Sequence, residues 1–350
     1  GTPMPQSPDD LWSQFTFLYP SQRLLGSFSN YKDNIEIMGF PKVKEILEPI
    51  YTRVSLNELD LPEPVFQRTS VKMAPLQRDI YDAIAQTIIK NKDHEIDWKE
   101  NLELDQWRTN MVVYLLEAAV DPTLLTKEKE AGELILDYKG MAFPDLIKKY
   151  NEIDETPGKI TRVLEEIPKI VDSGQKVVVW SWLVRNVKNL ENELKKMGYK
   201  SVTVTGKVPQ DEEADPNDNR EKRIEEFKNT DIDILLANPA SCAESISLHK
   251  HCQNAIYLDR NFHGSQWMQS LSRIHRVGME EIRPKYMIML SENSIDEDVD
   301  VRLDWKHENM LRFLNDDFSR LDLDLEESIF GLEREGDFEQ VLKHLKKDRN

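Results

Sequence analysis

The chain has 350 residues, a net charge of −18 and a hydrophobic content of 39%, which are typical of a globular protein with two or more folded units. No apolar run approaches the roughly 20 residues that a membrane-spanning helix needs, and the first six residues do not resemble a signal peptide. The two cysteines form neither a metal-ligand spacing nor a disulfide framework. We therefore expect a cytoplasmic protein, or a nuclear one in a eukaryote, with no membrane partner.

The acidic charge is distributed unevenly along the chain. Residues 159–290 carry 20 basic and 19 acidic side chains, whereas the segments on either side are strongly acidic. Lys and Arg contacts to phosphate supply most of the non-specific affinity for nucleic acid. The balanced middle segment therefore still permits a basic face that binds DNA.

Residues 9–120 are expected to be mainly helical. Apolar residues recur three and four positions apart in the segments KVKEILEPIYTRV, APLQRDIYDAIAQTIIKN and QWRTNMVVYLLEAAV. Pro62, Pro64, Pro75 and Pro122 separate these segments, because proline lacks a backbone N–H and has a fixed φ.

From about residue 159 the pattern changes to short continuous apolar runs that alternate with helical periodicity. Such runs are typical of buried parallel strands joined by crossover helices. The predicted strands span 176–183, 200–206, 232–238, 254–260 and 286–292. The predicted helices between them span 184–198, 219–229 and 265–278. This order predicts an α/β fold with a doubly wound parallel sheet, preceded by a mainly helical region.

The C-terminal part contains one more helix and a charged tail. The helix is expected to begin at Ser294, with Glu297 three residues later as in a capping box. Residues 316–350 are expected to form an acidic tail, in which DFEQVLKHLKK is one short helix.

The segment QSLSRIHRVG at 269–278 indicates phosphate chemistry. Arg273 and Arg276 are three positions apart, so that a helix through this segment would aim both side chains at one anion. Guanidinium groups stay charged and suit the stabilisation of a transferred phosphoryl group. The pair alone also fits a solvated helix face with two incidental arginines.

The pattern Q-x-x-x-R-x-H-R-x-G resembles the sixth motif of Swi/Snf-related superfamily two ATPases. KVVVWSWL resembles the fourth motif of that family, ILLANPASCAESISL resembles the fifth, and AIYLDRNF the strand after it. The first 20 residues resemble the third motif and its following helix, and VKMAPLQRDIYDAI and EAAVDPTLL resemble the helical insertions. The resemblance implies the end of a first RecA-like lobe at 1–30, helical insertions and a linker at 31–158, and a RecA-like helicase C-terminal lobe at 159–315.

The resemblance also implies roles for individual residues. Arg273 and Arg276 would be catalytic arginine fingers, and together with Gln269 and Gly278 they would contact ATP. The implied contacts to the DNA backbone come from Ser241, Ser245, Ser247 and His275. No G-x-x-x-x-G-K-[ST] sequence occurs in the chain, so ATP and Mg²⁺ are expected to be bound mainly by the first RecA-like lobe, in a segment upstream of residue 1. No metal ligands are expected in these 350 residues.

The chain departs most from the family in the fifth motif. Family members carry a glycine-rich turn there, whereas this chain has Glu244, Ser245, Ser247 and Leu248. Asp259 follows a predicted strand, as a magnesium ligand would, but the resemblance favours a structural role near the interface between lobes.

Two hypotheses of different classes follow. The first is a motor lobe that closes with the first lobe of the same protein over ATP and double-stranded DNA, and that is inactive without it. The second is a regulatory or scaffold protein that has kept the fold but lost ATP hydrolysis. A small-molecule enzyme is disfavoured, since no G-x-G-x-x-G sequence follows a strand.

Overall fold

The structure is a computed structural model, and the described residues are 9–38, 45–50, 59, 61–92, 102–127, 139–153, 155–209, 215, 218–242, 246–279, 282–315, 341–342 and 345. The predicted third motif, most of the segment KVKEILEPIYTRV, and Ser245 lie outside them. Among these described residues, no helix combines the length and the apolar character that crossing a membrane requires.

A six-stranded sheet forms the centre of the fold. Its strands are β1 (Val65–Val71), β2 (Val177–Trp180), β3 (Ser201–Val204), β4 (Ile234–Ala237), β5 (Asn254–Tyr257) and β6 (Lys285–Ser291). Their order is β1-β6-β5-β2-β4-β3, and every pair is parallel. The predicted doubly wound parallel sheet is confirmed, and all five predicted strands are present.

Strand β1 lies in the region that was expected to be helical, and the expectation was wrong there. All seven of its residues pair with β6, from Val65 opposite Lys285 to Val71 opposite Ser291. The side chains of β1 are largely exposed, so the strand lacks the continuous apolar run that identifies a buried strand. An edge strand of this kind is specified by its partner more than by its own sequence.

Helices flank the sheet and fill the connections. Before the sheet core they are α1 (Asp9–Leu18), α2 (Gln22–Leu25), α3 (Phe28–Met38), α4 (Pro75–Lys92), α5 (Leu102–Val120), α6 (Phe143–Ile153) and α7 (Gly158–Val171). Those that follow β2 are α8 (Val184–Lys196), α9 (Arg220–Asn229), α10 (Pro239–Cys242), α11 (Gly264–Leu271) and α12 (Ile295–Asn315). Short 3₁₀ turns occur at Glu48–Ile50 and Pro122–Lys127. The predicted amphipathic helices at α4 and α5 are confirmed.

Alternate residues of the strands point to two apolar clusters, one on each face of the sheet. On one face Val177 and Val179 of β2 pack with α7 and α8. On the other face Val178 and Trp180 belong to a larger cluster that includes residues of α4, α5, α9, α11 and α12. The helical region before the sheet therefore shares a core with it. A separate small cluster contains Leu11, Phe15, Leu25, Tyr31 and Leu47.

The side chain of Gln77 joins three helices at one buried point. Its Nε2 donates to the carbonyl oxygens of Ala118 (3.0 Å) and Ala119 (3.2 Å) at the end of α5, and its Oε1 accepts from the N–H of Gly158 (3.1 Å). At Gly158 a Cβ atom would lie 2.1 Å from the carbonyl oxygen of Lys72, so only glycine fits. The first residue of α7 therefore lies in close contact with the backbone that follows β1.

A buried ion pair connects α7 with α12. The Nζ atom of Lys159 lies 2.6 Å from Oδ2 of Asp296, and the two side chains are 0% and 5% exposed. The same oxygen accepts the N–H of Ser291 at 2.8 Å, and the N–H of Ile295 donates to the hydroxyl of Tyr81 on α4. One carboxylate thus holds the end of β6 against the starts of α7 and α12.

The C-terminal part differs from its prediction in two respects. Helix α12 begins at Ile295, but the carboxylate of Glu297 accepts the N–H of Asn293 (2.9 Å), one residue earlier than a capping box requires. Beyond residue 315 the described residues are Val341, Leu342 and Leu345, which are buried in the larger apolar cluster. This part of the expected acidic tail therefore packs into the core, because its apolar residues are spaced as on one helix face.

We expect Lys159→Met to destabilise the chain by about 3 to 5 kcal/mol, because it leaves the buried carboxylate of Asp296 without a cation. Urea denaturation measures this change. The matched control is Lys200→Met, which removes the exposed ion pair with Asp231 and should change stability little. An equal loss in both variants would contradict the role given to the buried pair.

Candidate nucleotide and DNA interface

The predicted motif begins at the end of α11 and continues beyond it. The helix ends at Leu271, and residues 272–279 form turns. Arg273 and Arg276 therefore do not share a helix face, and that part of the prediction was wrong. The physical reason is that Ser272 turns the chain out of the helix while Arg273 finds hydrogen-bond partners on another loop.

The side chain of Arg273 is half-buried and held on two sides. Its Nε donates to the carbonyl of Gln269 (2.9 Å), and its Nη1 donates to the carbonyl of Ile246 (3.0 Å). The carbonyl of Arg273 in turn accepts the N–H of Leu248 at 2.9 Å. The arginine segment and the fifth-motif segment are thereby fixed to each other.

Arg276 is exposed and contacts the fifth-motif segment. Its Nη1 donates to the hydroxyl of Ser247 at 2.7 Å. The following turn closes through the N–H of Met279 and the carbonyl of Arg276 (3.2 Å), and Gly278 has a φ of 85°. That φ requires glycine, which explains the residue type that the motif places there. The guanidinium of Arg276 is accessible to an anion from solvent.

The surface around Arg276 is locally basic. Lys250, Arg276, His251 and Lys228 lie near enough to His249 to act on it electrostatically, and burial together with these charges lowers the pKa of His249. Basic side chains in the same place raise the local concentration of anions. Basic side chains are thus concentrated around His249 and Arg276, with Lys228 paired to Glu225 at 2.8 Å.

This basic surface lies at the amino edge of the sheet. The hydroxyl of Tyr286, the second residue of β6, donates to the carbonyl of Leu271 at the end of α11 (2.7 Å). The Nε2 atom of His275 lies 3.1 Å from the carbonyl oxygen of Pro62, which precedes β1. The imidazole that was expected to contact DNA is thus engaged within the chain.

Ser241 lies at the opposite, carboxyl edge, on α10 directly after β4. Its carbonyl accepts Nη1 of Arg220 (3.1 Å), whose Nε donates to the carbonyl of Val208 (2.9 Å) in the loop after β3. Lys207 is exposed in that loop. The serines expected to contact DNA are therefore divided, with Ser241 at the carboxyl edge and Ser247 beside Arg276.

Sequence reasoning did not single out Lys207 and Arg220, which the structure places near Ser241. Lys207 follows Gly206 in the loop after β3, outside any P-loop sequence. Arg220 is the first residue of α9. The signal that could have found both is a basic residue next to a predicted strand end or helix start.

Asp259 occupies the carboxyl edge between β2 and β5, where the order of the sheet reverses. Its carboxylate accepts Oγ of Ser181 (2.5 Å), the N–H of Trp182 (2.6 Å) and Nδ2 of Asn186 (3.3 Å). Burial raises its pKa, while these donors act in the opposite direction. Ligands of doubly wound sheets usually bind at such a reversal, but here a structural carboxylate fills it. Among the described residues, no group of three or more His, Cys, Asp or Glu side chains could hold a metal ion.

The family described as the helicase conserved C-terminal domain matches residues 158–278. Residues 158–278 are thus similar to a helicase C-terminal domain. The matched range runs from the first residue of α7 to the glycine of the arginine turn, so it includes Arg273, Arg276 and the 246–248 segment.

Curated relatives extend the similarity beyond this domain. The chain is 22% identical over 308 residues to chromodomain-helicase-DNA-binding protein 6 of Homo sapiens, covering 85% of this chain and 11% of that protein. It is 20% identical over 315 residues to the human SWI/SNF-related matrix-associated actin-dependent regulator of chromatin subfamily A member 1, covering 87% of this chain and 28% of the relative. The chain is thus similar in sequence to these two proteins and spans a small part of their length.

Solved structures confirm the RecA-like fold. The C-terminal part of the Fun30 ATPase domain matches with a TM-score of 0.56 at 18% identity, covering 82% of this chain and 99% of that one. The Sulfolobus solfataricus SWI2/SNF2 ATPase core in complex with dsDNA matches with a TM-score of 0.51 at 22% identity, covering 89% of this chain and 60% of that one.

We expect the helicase C-terminal domain to lose stability as the pH falls below about 6.5, the pKa of an unperturbed histidine. Burial lowers the pKa of His275, and burial also lowers that of His249, so the unfolded chain binds more protons than the folded chain in this range. Urea denaturation from pH 7.5 to 5.5 measures the effect. A double variant, His249→Gln with His275→Gln, should have a shallower pH dependence, and an unchanged slope would contradict the assignment.

Proposed function

We propose that the chain is the C-terminal motor lobe of an ATP-dependent double-stranded-DNA translocase or remodeller, with Arg273 and Arg276 as its arginine fingers. The observation that carries the proposal is the exposed guanidinium of Arg276 on a basic surface, in a chain similar in sequence to a SWI/SNF-related regulator of chromatin. An exposed guanidinium beside neutral hydroxyls is suited to bind phosphate oxygens.

The two arginines have different tasks in this proposal. Arg276 exchanges its contact with Ser247 for a phosphate oxygen of ATP and stabilises the charge that develops during transfer. Arg273 adds a second positive charge and, through the carbonyl of Ile246, keeps the turn in place. Gln269 and Gly278 complete the contact with the nucleotide. The first RecA-like lobe of the full-length protein binds most of ATP and Mg²⁺, which supply the transferred phosphoryl group and its counter-charge.

In this proposal, hydroxyl and ammonium groups of the chain contact the phosphate backbone of DNA. Ser241 and exposed Lys207 lie on neighbouring loops at the carboxyl edge, since a Cβ atom on Gly206 would lie 3.4 Å from Oγ of Ser241. A hydroxyl and an ammonium group together suit a phosphate of the duplex. Ser245 and Ser247 extend the contact along the fifth-motif segment. Such contacts hold DNA without reading its sequence, as a translocase requires.

A second candidate function is a helicase-like regulatory or scaffold protein that has lost ATP hydrolysis. The observation that favours it is the fifth-motif segment, in which Glu244, Ser245, Ser247 and Leu248 occupy the stretch where the family has a glycine-rich turn. The two functions differ in the turnover of the full-length protein.

In the full-length protein we expect Arg276→Ala to lower the rate of DNA-stimulated ATP hydrolysis about 10³-fold, because the transition-state charge loses its guanidinium. Arg276→Lys should recover only a small part of the rate, since an ammonium group lacks the planar fork. Steady-state hydrolysis at saturating ATP and DNA measures the change.

The matched control for this experiment is Arg162→Ala. Arg162 pairs with Glu165 and Glu166 on the surface of α7, away from the arginine turn, and its removal should leave the rate unchanged. Absence of hydrolysis in the unmodified full-length protein would favour the scaffold. Turnover by these 350 residues alone would contradict the need for a first lobe.

We expect Lys207→Ala to weaken binding of duplex DNA equally for all sequences and to reduce the slope of log affinity against log salt by about 1. The variant makes one phosphate contact fewer, so about one counterion fewer is released on binding. Fluorescence anisotropy over a salt series measures it. Lys200→Ala, at the amino end of β3, is the control, and an equal effect there would mean that DNA does not bind at the carboxyl edge.

A further inference from the structure

The segment before β1 is fastened to the arginine turn and its continuation by three successive contacts. His275 Nε2 lies 3.1 Å from the carbonyl oxygen of Pro62, and Nε of Arg283 donates to the carbonyl of Glu63 at 2.9 Å. The N–H of Val65 donates to the carbonyl of Pro284 at 2.8 Å. We call residues 61–64 the connecting segment.

The first of these contacts reaches the arginine turn itself. Because a carbonyl oxygen only accepts, the Nε2 atom of His275 must carry the proton. The ring is half-buried, and burial lowers its pKa, so the neutral Nε2–H tautomer fits. His275 directly precedes Arg276, and its backbone N–H donates to the carbonyl of Leu271 at 3.3 Å. The imidazole therefore links the backbone that carries Arg276 to the connecting segment.

The connecting segment is stiff and joins two different parts of the protein. Its sequence is Leu-Pro-Glu-Pro, and each proline fixes its φ and restricts the residue before it. Downstream it continues into β1 and the sheet core. Upstream the chain leads to the small apolar cluster of Leu11, Phe15 and Tyr31, which is separate from the two clusters of the sheet.

We propose that His275 is a positioning residue: its hydrogen bond to Pro62 sets the arginine turn relative to the connecting segment, so that Arg276 reaches its phosphate only when that segment is in place. The proposal rests on the function proposed above. It replaces the expected DNA contact of His275, since the nitrogen that would reach a phosphate is already used. Misplacement of a catalytic group by about 1 Å can cost 10²-fold in rate, so one hydrogen bond at this point is sufficient to matter.

The test compares two variants of His275 in the full-length protein. His275→Leu removes the donor, and we expect kcat of DNA-stimulated ATP hydrolysis to fall about 10- to 100-fold. KM for ATP and the affinity for duplex DNA should stay within about twofold, because neither ligand loses a contact. His275→Gln places an amide N–H near the position of Nε2 and should restore most of kcat.

Two controls separate positioning from general stability. Arg283→Leu removes the neighbouring contact to Glu63 but leaves the hydrogen bond between His275 and Pro62, so kcat should fall less than in His275→Leu. Melting temperatures of all variants show whether a lower rate reflects unfolding. If kcat follows the melting temperature across His275→Leu, His275→Gln and Arg283→Leu alike, the positioning role is wrong.

The remaining outcomes are also decisive. An unchanged kcat in His275→Leu overturns the proposal, and so does a weaker affinity for DNA with kcat unchanged at saturating DNA, which would mean that the ring contacts DNA. Arg276→Ala, measured in parallel, distinguishes failure of the positioning role from failure of the proposed function. If Arg276→Ala lowers hydrolysis and His275→Leu does not, only the positioning role fails; if neither has an effect, the proposed function fails as well.

Discussion

The carboxylate of Asp296 is the constraint on which the rest of the structure depends. It neutralises the buried ammonium group of Lys159 and accepts the N–H of Ser291 at the carboxyl end of β6. Both charges are buried, so removing either residue would leave the other charge unpaired in the core. At the amino end of β6, Tyr286 holds the end of α11 by a hydrogen bond to Leu271. The position of the arginine turn thus follows from the position of a strand that a buried ion pair secures.

In the function that we propose, the nucleotide binds at the amino edge of the sheet, and DNA contacts groups at both edges. The arginine turn lies at the amino edge with Ser247, whereas Ser241 and Lys207 lie at the carboxyl edge. Between β4 and β5 the chain runs from one edge to the other, and Arg273 secures its far end through Ile246. A shift of the arginine turn on nucleotide binding therefore has a direct covalent route to the loop proposed to contact DNA.

Much of the fold could be predicted from residue patterns because its elements are buried on both faces or on one. Val177 to Trp180 is a continuous apolar run, and α8 has apolar residues three and four positions apart. Strand β1 could not be predicted in this way, since its exposed side chains carry no burial signal. The C-terminal residues Val341 and Leu342 lie in the core, but the many charged residues around them in the sequence indicate an exposed tail.

The candidate site also has features that the sequence identifies and features that only the structure shows. The sequence by itself determined which residues are chemically able to act, namely two arginines in a motif with a glycine that a positive φ requires. Only the tertiary structure decided that Arg273 is held by Ile246, that Arg276 remains exposed, and that His275 contacts Pro62, 213 residues away along the chain. The physical reason is that a hydrogen bond between distant residues depends on how β1 and β6 pair, and local periodicity contains no information about that pairing.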